Sequence, residues 1–344
     1  MTRVLVIVPC YNYARYLEAC VRSVLAQRDV QVAVLIIDDC SSDETPEVCR
    51  KLAQEDARVG VIRHAVNKGH IATFNEGLEH TQGDYLVLIS ADDMLTPGSL
   101  ARASALMNAH PNVGMVYGCP IPFHDRYVPP ANTSGSSWTV WKGAEWLERS
   151  CRAGVNFMRS PEVMLRASVQ RSIGGYRPSL PHSSDMNMWL RAAMVADVGY
   201  VKGSDQAYYR IHDTNMHRTV HSGFMYDLKA RYDAFLDAFE TQGSLLPERD
   251  RLRSMAWQAL ARIAIRQAIR VSLGQVREGT SVAQYRQFAL RICPEIVGTS
   301  EWRRLERLDN GAWKLRALAE RARGRLRSVV DSYDRRKLKR DGIF

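Results

Sequence analysis

The sequence predicts an α/β protein with a doubly wound, mostly parallel sheet, followed by an α-helical C-terminal region. In the N-terminal part, short runs rich in β-branched residues alternate with stretches whose apolar residues recur at helical spacing. Two acidic pairs, Asp38-Asp39 and Asp92-Asp93, each follow one of those runs. Beyond about residue 222 only helical spacing remains. Ligands of such sheets bind at the carboxyl ends of the strands, so we expect the acidic pairs to share one site.

The first strands and helices follow from local patterns. Residues 3–9 and 32–37 are apolar runs typical of buried strands, and apolar side chains recur at helical spacing from Tyr16 to Gln27. This order predicts two parallel strands joined by a right-handed crossover. Thr45-Pro46 predicts an N-cap and a proline in the first turn of a helix that ends near Asp56.

The next elements are a strand at Val59–Arg63, a helix from Asn67-Lys68-Gly69 to about His80, and a strand at Tyr85–Ile89. Thr96-Pro97 predicts another N-cap. Residues 119–141 hold four prolines and a Thr-Ser-Gly-Ser-Ser stretch, which predict a loop. The remaining periodic segments predict helices at about 225–241, 246–273, 281–292 and 300–338.

Composition excludes several classes of protein. Among the 344 residues no apolar run reaches the roughly 18 that span a bilayer, and the N-terminus lacks a signal-peptide cleavage pattern, so we expect a cytoplasmic protein. The seven cysteines are scattered and never spaced as Cys-x-x-Cys, which argues against a disulfide framework or a thiolate zinc site. The net charge of +10 is uneven: residues 1–120 carry 10 Lys/Arg and 14 Asp/Glu, so the remainder carries +14.

The acidic pairs suit phosphate chemistry. A departing nucleoside diphosphate gains negative charge, which a divalent cation held by carboxylates can neutralise. Mg²⁺ and Mn²⁺ prefer oxygen ligands, and Asp93 at a strand end provides one. Taken alone, Asp92-Asp93 could equally be two solvated turn residues; the second pair, Asp38-Asp39, favours a site.

Four motifs in this order resemble the family 2 glycosyltransferases of the GT-A fold. They are Val-Ile-Val-Pro-Cys-Tyr-Asn (6–12), Ile-Asp-Asp-Cys-Ser-Ser-Asp-Glu-Thr (37–45), Asn-Lys-Gly (67–69) and Ser-Ala-Asp-Asp (90–93). The match extends over roughly residues 3–215. The resemblance implies a Rossmann-like GT-A domain at 1–222 and a helical region at 223–344. Within the domain it implies a nucleotide-sugar-binding half, 1–118, and an acceptor-binding half, 119–222.

The resemblance also implies roles for single residues. Tyr11 would stack on the nucleotide base, Asp39 would accept hydrogen bonds from it, and Asp92 would reach the ribose or diphosphate. Asp93 would bind Mn²⁺ or Mg²⁺, and His212 in Tyr-Arg-x-His could approach the metal and diphosphate. The full set of implied donor-binding residues is Pro9, Tyr11, Asn12, Asp38, Asp39, Lys68, Gly69 and Asp92.

The acceptor side resembles the family less closely. Ser184-Asp185 stands where the family usually has Glu-Asp, and Asp185 matches the position of the general base that takes a proton from the acceptor hydroxyl. Ser90 replaces a common acidic residue and Phe74 a common arginine, so Lys68 becomes a candidate for phosphate neutralisation. Asp185 could instead merely cap its helix.

These features predict an inverting glycosyltransferase that moves a sugar from a nucleoside-diphosphate sugar to a hydroxyl or amine acceptor. The acceptor would be a glycan, a lipid-linked molecule or a small molecule. A nucleotidyltransferase usually has a glycine-rich basic loop after its first strand, and Pro9-Cys10-Tyr11-Asn12 is not such a loop. Two alternatives remain: a transferase acting on modified DNA, and a catalytically silent scaffold with the same fold.

The C-terminal tail is strongly basic. Residues 314–340 carry 11 Lys/Arg and 3 Asp/Glu, a net charge of +8, around one apolar stripe. A helix packed on the rest of the protein, a peripheral contact with an anionic membrane, and binding to a phosphate-rich polymer are all consistent with this pattern. Aromatic residues are sparse there, so nucleic acid is the less favoured partner.

Overall fold

The computed structural model describes most of the chain as two compact units. The described residues are 1–125, 127–135, 137–213, 215, 223–309 and 341–342. Unit one comprises residues 1–146 and 157–215, and unit two comprises residues 147–156 and 216–344. The predicted basic tail at 314–340 lies outside the described residues. Its three candidate roles therefore stay predictions.

Unit one is built on a sheet that, within the described residues, has nine strands. The strand order is β3-β2-β1-β4-β8-β6-β9-β5, and β7 pairs with β9. The strands are β1 Arg3–Cys10, β2 Gln31–Asp38, β3 Val59–Arg63, β4 Tyr85–Leu88, β5 Met94–Leu95, β6 Val113–Phe123, β7 Ser137–Trp141, β8 Met164–Arg166 and β9 Asp197–Arg210.

The first four strands form the parallel half of this sheet. β1 pairs in parallel with β2 and β4, and β2 pairs in parallel with β3. β6 and β9 are also parallel, while the pairings of β8, β5 and β7 are antiparallel. Val6, Val8 and Ile36 are fully buried, which explains why β1 and β2 read as near-continuous apolar runs. The predicted doubly wound α/β fold is confirmed.

Helices cover the sheet of unit one. They are α1 Ala14–Leu25, α2 Thr45–Glu55, α3 His70–Glu79, α4 Ser99–Ala109, α5 Gly143–Ala153, which ends in unit two, α6 Ala167–Ile173 and α7 Ser184–Val195. The predicted caps are wrong at both Thr-Pro pairs. The Asp43 carboxylate accepts from the Thr45 N–H, 3.0 Å away, and so caps α2. The N-cap of α4 is Gly98, and the Thr96 hydroxyl donates to the Asp205 carbonyl at 2.6 Å and caps no helix N–H group.

The predicted loop at 119–141 is partly wrong as well. Residues 119–123 continue β6 and residues 137–141 form β7, because both segments pair with β9. Pro120 and Pro122 are tolerated because β6 has register shifts against β9 just before Pro120. Of the described residues between the two strands, 128–135 form neither helix nor strand.

Unit two is helical within the described residues. Its helices are α8 Phe224–Thr241, α9 Arg249–Ser272, α10 Val282–Ile292 and α11 Ser300–Asp309, together with the end of α5. Ser281 begins α10 with a capping box, since its hydroxyl accepts from the Gln284 N–H and the Gln284 side chain accepts from the Ser281 N–H. No helix among the described residues is long and apolar enough to span a membrane.

Candidate active site

Three loops meet at the carboxyl ends of β1, β2 and β3. Asn12 has a left-handed backbone, with φ of 56°, and joins the first two loops. Its Oδ1 accepts from the Ser42 N–H at 2.8 Å, and its own N–H donates to the Ser41 hydroxyl at 2.9 Å. Tyr11 is 49% exposed beside Pro9. This arrangement leaves an accessible aromatic ring on a fixed turn, as stacking on a base requires.

Asp39 connects the second loop to the third. Its Oδ1 accepts from the Lys68 N–H and faces His64 Nδ1, both at 2.7 Å, while its Oδ2 accepts from the Gly69 N–H at 2.9 Å. Burial raises the pKa of the carboxyl, but these donors outweigh it and hold the pKa below its usual value. Asp39 is therefore an anchored carboxylate with acceptor capacity left on Oδ2.

His64 is a buried residue that the sequence analysis missed. Its Nδ1 faces Asp39 and its Nε2 faces Glu76 Oε2 at 2.9 Å. The Lys68 ammonium also binds Glu76, at 2.8 Å. Lys68 is thus bound to a carboxylate, and its predicted phosphate contact stays a prediction.

Asp38 has structural contacts. Its side chain is fully buried, its Oδ1 accepts from the Ser41 N–H at 2.9 Å, and its Oδ2 lies 3.3 Å from Arg63 Nε. Asp38 and Arg63 are close enough to form an ion pair, but their atoms are not aligned for a hydrogen bond. Since no Asp38 oxygen reaches the surface, Asp39 is the member of this pair that can contact a donor, and the predicted donor contact of Asp38 stays a prediction.

The second acidic pair lies after β4 and is bound by the end of β9. Asp92 Oδ2 lies 2.9 Å from His212 Nε2 and 3.3 Å from Asn215 Nδ2. Asp92 Oδ1 is buried and has no hydrogen-bond partner among the described residues. Two separately predicted site residues, Asp92 and His212, are therefore brought together, and Asp92 Oδ1 has no partner among the described residues.

Asp93 is almost fully buried beside Asp92. Its Oδ1 accepts from the Arg210 N–H at 2.8 Å. Burial, followed by the negative charge of Asp92, raises the pKa of Asp93 well above its usual value. Two buried carboxylates side by side therefore require a cation or a proton to be stable.

Arg210 connects this pair to aromatic and acidic neighbours. Its Nε donates to the Asp92 carbonyl at 2.7 Å and its Nη1 to Asp125 Oδ1 at 2.8 Å. The guanidinium lies 4.4 Å from the ring centres of both Tyr16 and Phe123. The sequence motif indicated a cation here, but Asp125 and Phe123 gave no signal.

Tyr209 is close enough to the acidic pair and to the predicted base, Asp185, for all three charges to affect its phenol. Burial raises the pKa of its phenol to about 12, and the negative charges of Asp93, Asp92 and Asp185 all contribute to the rise. The Arg159 guanidinium lies 4.3 Å from its ring centre. Asp185 is partly exposed at the start of α7, where its Oδ1 accepts from the Met186 N–H at 2.6 Å.

Glu162 is a second residue that the sequence analysis missed. Its Oε1 accepts from the Arg159 N–H at 2.6 Å, and its Oε2 is buried with no partner among the described residues. Burial raises the pKa of Glu162 to about 8, and the charge of Asp185 adds to this rise. A cavity of about 10 Å³ touches both Glu162 and Gln206, whose Nε2 also lacks a described partner. This space is about the size of one water molecule.

Phe74, where the family often has arginine, is part of an aromatic contact. Its ring centre lies 5.4 Å from those of both His70 and Tyr176. Asn75 binds the backbone of Tyr176 through two hydrogen bonds, and the Gly175 Cα lies so close to it that a Cβ there would be 2.4 Å from Asn75 Oδ1. The glycine turn before α7 is thus fixed to α3.

The acidic pair fits a hard divalent cation. Asp92 Oδ1 and Asp93 Oδ2 accept no hydrogen bond within the described part of the chain. No group of three His, Cys, Asp or Glu side chains forms a metal site there. Mg²⁺-type ions at nucleotide sites commonly use only one or two carboxylates and take further oxygens from the phosphates. Two carboxylates are therefore enough for such an ion, while a metal contact of His212 stays a prediction.

Comparisons with known proteins find similarity to glycosyltransferases. A model of Glycosyl transferase family 2 matches residues 5–166. An uncharacterized glycosyltransferase of Nostoc sp. is 28% identical over 235 residues, which are 64% of this chain and 68% of that protein. The matched segment contains the first three loops and both acidic pairs.

Solved structures share the fold at low sequence identity. Staphylococcus aureus TarS 1–349 in complex with UDP-GlcNAc is 16% identical, with a TM-score of 0.65 over 86% of this chain and 82% of that one. The mannosyltransferase PcManGT of Pyrobaculum calidifontis, in complex with GDP-Man and Mn²⁺, is 17% identical, with a TM-score of 0.58 over 98% and 84%. At such identities the likeness shows the fold alone. Residues 5–166 of the chain match glycosyl transferase family 2, which supports glycosyltransferase activity, and the first unit has the GT-A fold.

Proposed function

We propose that this protein transfers a sugar from a nucleoside-diphosphate sugar to a hydroxyl group of an acceptor, with inversion and with the help of Mn²⁺ or Mg²⁺. The observation that carries this proposal is the buried pair Asp92 and Asp93, in which Asp92 Oδ1 has no hydrogen-bond partner among the described residues. Such a pair needs a cation, and a diphosphate brings one with it.

The donor would bind across the three loops. Tyr11 offers a ring for stacking on the base. Asp39 Oδ2 accepts a hydrogen bond from the base, while the loop N–H groups hold the Asp39 carboxylate in place. TarS and PcManGT, which share the fold, were crystallised with nucleotide sugars, which supports this choice of donor class.

The metal would be held by Asp93, with Asp92 Oδ1 as the second oxygen. When bound, it would offset the negative charge that develops on the departing diphosphate. Arg210 fixes this arrangement through its backbone N–H to Asp93 and its Nε to the Asp92 carbonyl. The Mn²⁺ in the PcManGT complex supports the choice of metal.

Asp185 would act as general base. As the acceptor oxygen bonds to the anomeric carbon, Asp185 takes the hydroxyl proton, and the bond from that carbon to the diphosphate breaks with its electron pair leaving on the phosphate oxygen. One direct displacement of this kind inverts the anomeric centre. The partial exposure of Asp185 near Tyr209 leaves it reachable by an acceptor.

Calorimetric titration tests the donor site. Nucleotide sugars and nucleoside diphosphates of each base are added to the full chain with and without Mn²⁺, using wild type, Asp93→Asn and Asp250→Asn. The asparagine oxygen at position 93 can still accept from the Arg210 N–H, so the fold is kept. Asp250 is a well-exposed control whose side chain is 82% accessible. We expect one nucleotide to bind with Mn²⁺ and Asp93→Asn to weaken that binding about 10-fold or more.

The outcomes separate the alternatives. Nucleotide binding that ignores both Mn²⁺ and Asp93 would contradict the metal role, and no binding of any nucleotide would favour a silent scaffold. For the base, Asp185→Asn should keep donor binding while release of nucleoside diphosphate from the donor falls about 100-fold or more. An unchanged rate would remove Asp185 from the mechanism.

A further inference from the structure

Unit two contains a groove apart from the acidic site. It has a volume of about 280 Å³ and lies along α9 beside the end of α5. Its floor includes the apolar side chains Met255, Ala259 and Ile263, and three arginines, Arg152, Arg262 and Arg266, also line it. A volume near 300 Å³ is at the lower end of small-molecule binding sites.

A glycine lies against two of the side chains that line this groove. Gly154 follows α5 with φ of +64°, a conformation that other residues rarely adopt. A Cβ at this position would lie 3.0 Å from the Ala259 Cβ and 3.3 Å from Ile263 Cδ1. Glycine therefore allows the end of α5 to approach α9 closely.

The three arginines have different surroundings. Arg152 Nη2 binds Glu148 at 2.8 Å and Arg266 Nη2 binds Glu301 at 2.9 Å, which fixes both guanidinium groups. Each guanidinium has five N–H donors, so most remain available. Arg262 is exposed and has no acidic partner within the described residues. It lies one turn, about 6 Å, before Arg266 on the same helix.

We propose that this groove binds a phosphorylated sugar unit of a glycan. Guanidinium groups bind phosphate through paired N–H bonds, and Arg262 with Arg266 presents two of them one turn apart. The apolar floor suits the carbon face of a sugar ring. The choice of a sugar as the part that carries the phosphate rests on the proposed function.

Charge and shape select this occupant. The basic segment 314–340, with a net charge of +8, would be repelled by an arginine-lined groove. A flat anionic membrane would meet the carboxylates of Glu148 and Glu301 next to two of the arginines. A compact anion, unlike a flat membrane, is small enough to enter the groove between the arginines.

Titration with glucose 6-phosphate at low salt tests the proposal on the full chain. Glucose and inorganic phosphate serve as half-ligands. We expect glucose 6-phosphate to bind more tightly than phosphate and glucose not to bind. Arg262→Glu should weaken binding at least about 10-fold and Arg262→Gln by less. Arg253→Glu is the matched control, because Arg253 lies on α9 outside the groove and pairs with Asp250 at 3.2 Å.

Three results would overturn the inference. The first is an equal loss in Arg253→Glu and Arg262→Glu, which would indicate diffuse attraction to a basic surface. The second is loss of glucose 6-phosphate binding in Asp93→Asn but not in Arg262→Glu, which would put the phosphate at the acidic pair. The third is Arg262-dependent binding to phosphatidylglycerol–phosphatidylcholine vesicles without binding of glucose 6-phosphate. Failure of nucleotide binding alone would remove the proposed function and leave the Arg262 result standing.

Discussion

Replacing Glu162 with glutamine tests whether the site holds a neutral carboxylic acid. The side chain is buried, its Oε1 accepts from the Arg159 N–H, and its pKa is raised from 4.5 to about 8. At neutral pH the native protein therefore keeps a proton on Glu162 that the unfolded chain releases. Glutamine is close in shape, keeps an oxygen for the Arg159 N–H and has no charge to titrate.

The magnitude follows from proton linkage. Between the two pKa values the unfolded state binds fewer protons than the native state, so the free energy of unfolding falls as the pH rises. The two pKa values of 4.5 and about 8 imply that Glu162 lowers this free energy by about 2 to 3 kcal/mol between pH 5 and pH 7. Above about pH 8 the loss is complete, because Glu162 then ionises in both states.

Urea unfolding at pH 5, 6, 7 and 8 measures this effect. We expect Glu162→Gln to be more stable relative to wild type at pH 7 than at pH 5 by about 2 to 3 kcal/mol. Infrared spectra supply an independent readout, since the carbonyl band of a protonated carboxylic acid should be lost in the variant. Glu47→Gln is the control, because Glu47 has a side chain that is 62% exposed.

Parallel pH profiles for wild type and Glu162→Gln would refute the reasoning. They would mean that Glu162 is ionised in the native protein. Its Oε2, which has no hydrogen-bond partner among the described residues, would then have one elsewhere. The same shift in Glu47→Gln would also refute it, because the exposed Glu47 side chain contacts water in the folded and the unfolded protein alike.

Two further substitutions test packing and loop anchoring. A Cβ at Gly77 would lie 2.4 Å from Ile7 Cγ2, so Gly77→Ala should lower the free energy of unfolding by about 1–3 kcal/mol in urea, and an unchanged value would mean that α3 can move away from β1. His64→Leu removes the side-chain donor to Asp39 and should weaken nucleotide binding by about 1–3 kcal/mol in calorimetry. Exposed His80→Leu should leave nucleotide binding unchanged, and equal losses in the two histidine variants would contradict the anchoring role.

The sequence predicted the parallel half of the sheet and the loops at its carboxyl ends. β4 is buried along its whole length and most side chains of β1 and β2 are buried or partly buried, so each reads as a continuous apolar run of strand length. Asn12 and Asp39 follow these runs directly in the sequence. Their positions at the ends of β1 and β2 could therefore be predicted, whereas their nucleotide contacts stay predictions.

The antiparallel half was not predictable in the same way. β9 contains Gly199, Gly203 and several polar residues, and it becomes a strand because it pairs with β6, β7 and β5. Such pairings join distant parts of the chain and leave no local period. Glu162 could not be predicted for the same reason. Its burial and its proximity to Asp185 depend on the tertiary fold and not on a sequence motif.

The bond between Asp93 and the Arg210 N–H spans 117 residues of chain. A ribosome therefore releases the acidic pair long before it makes the strand that binds this pair. At that stage Asn12 and Asp39 have every partner described for their loops, whereas Asp92 and Asp93 lack Arg210. The partners of the loop residues are therefore available earlier in synthesis than the strand that binds the acidic pair.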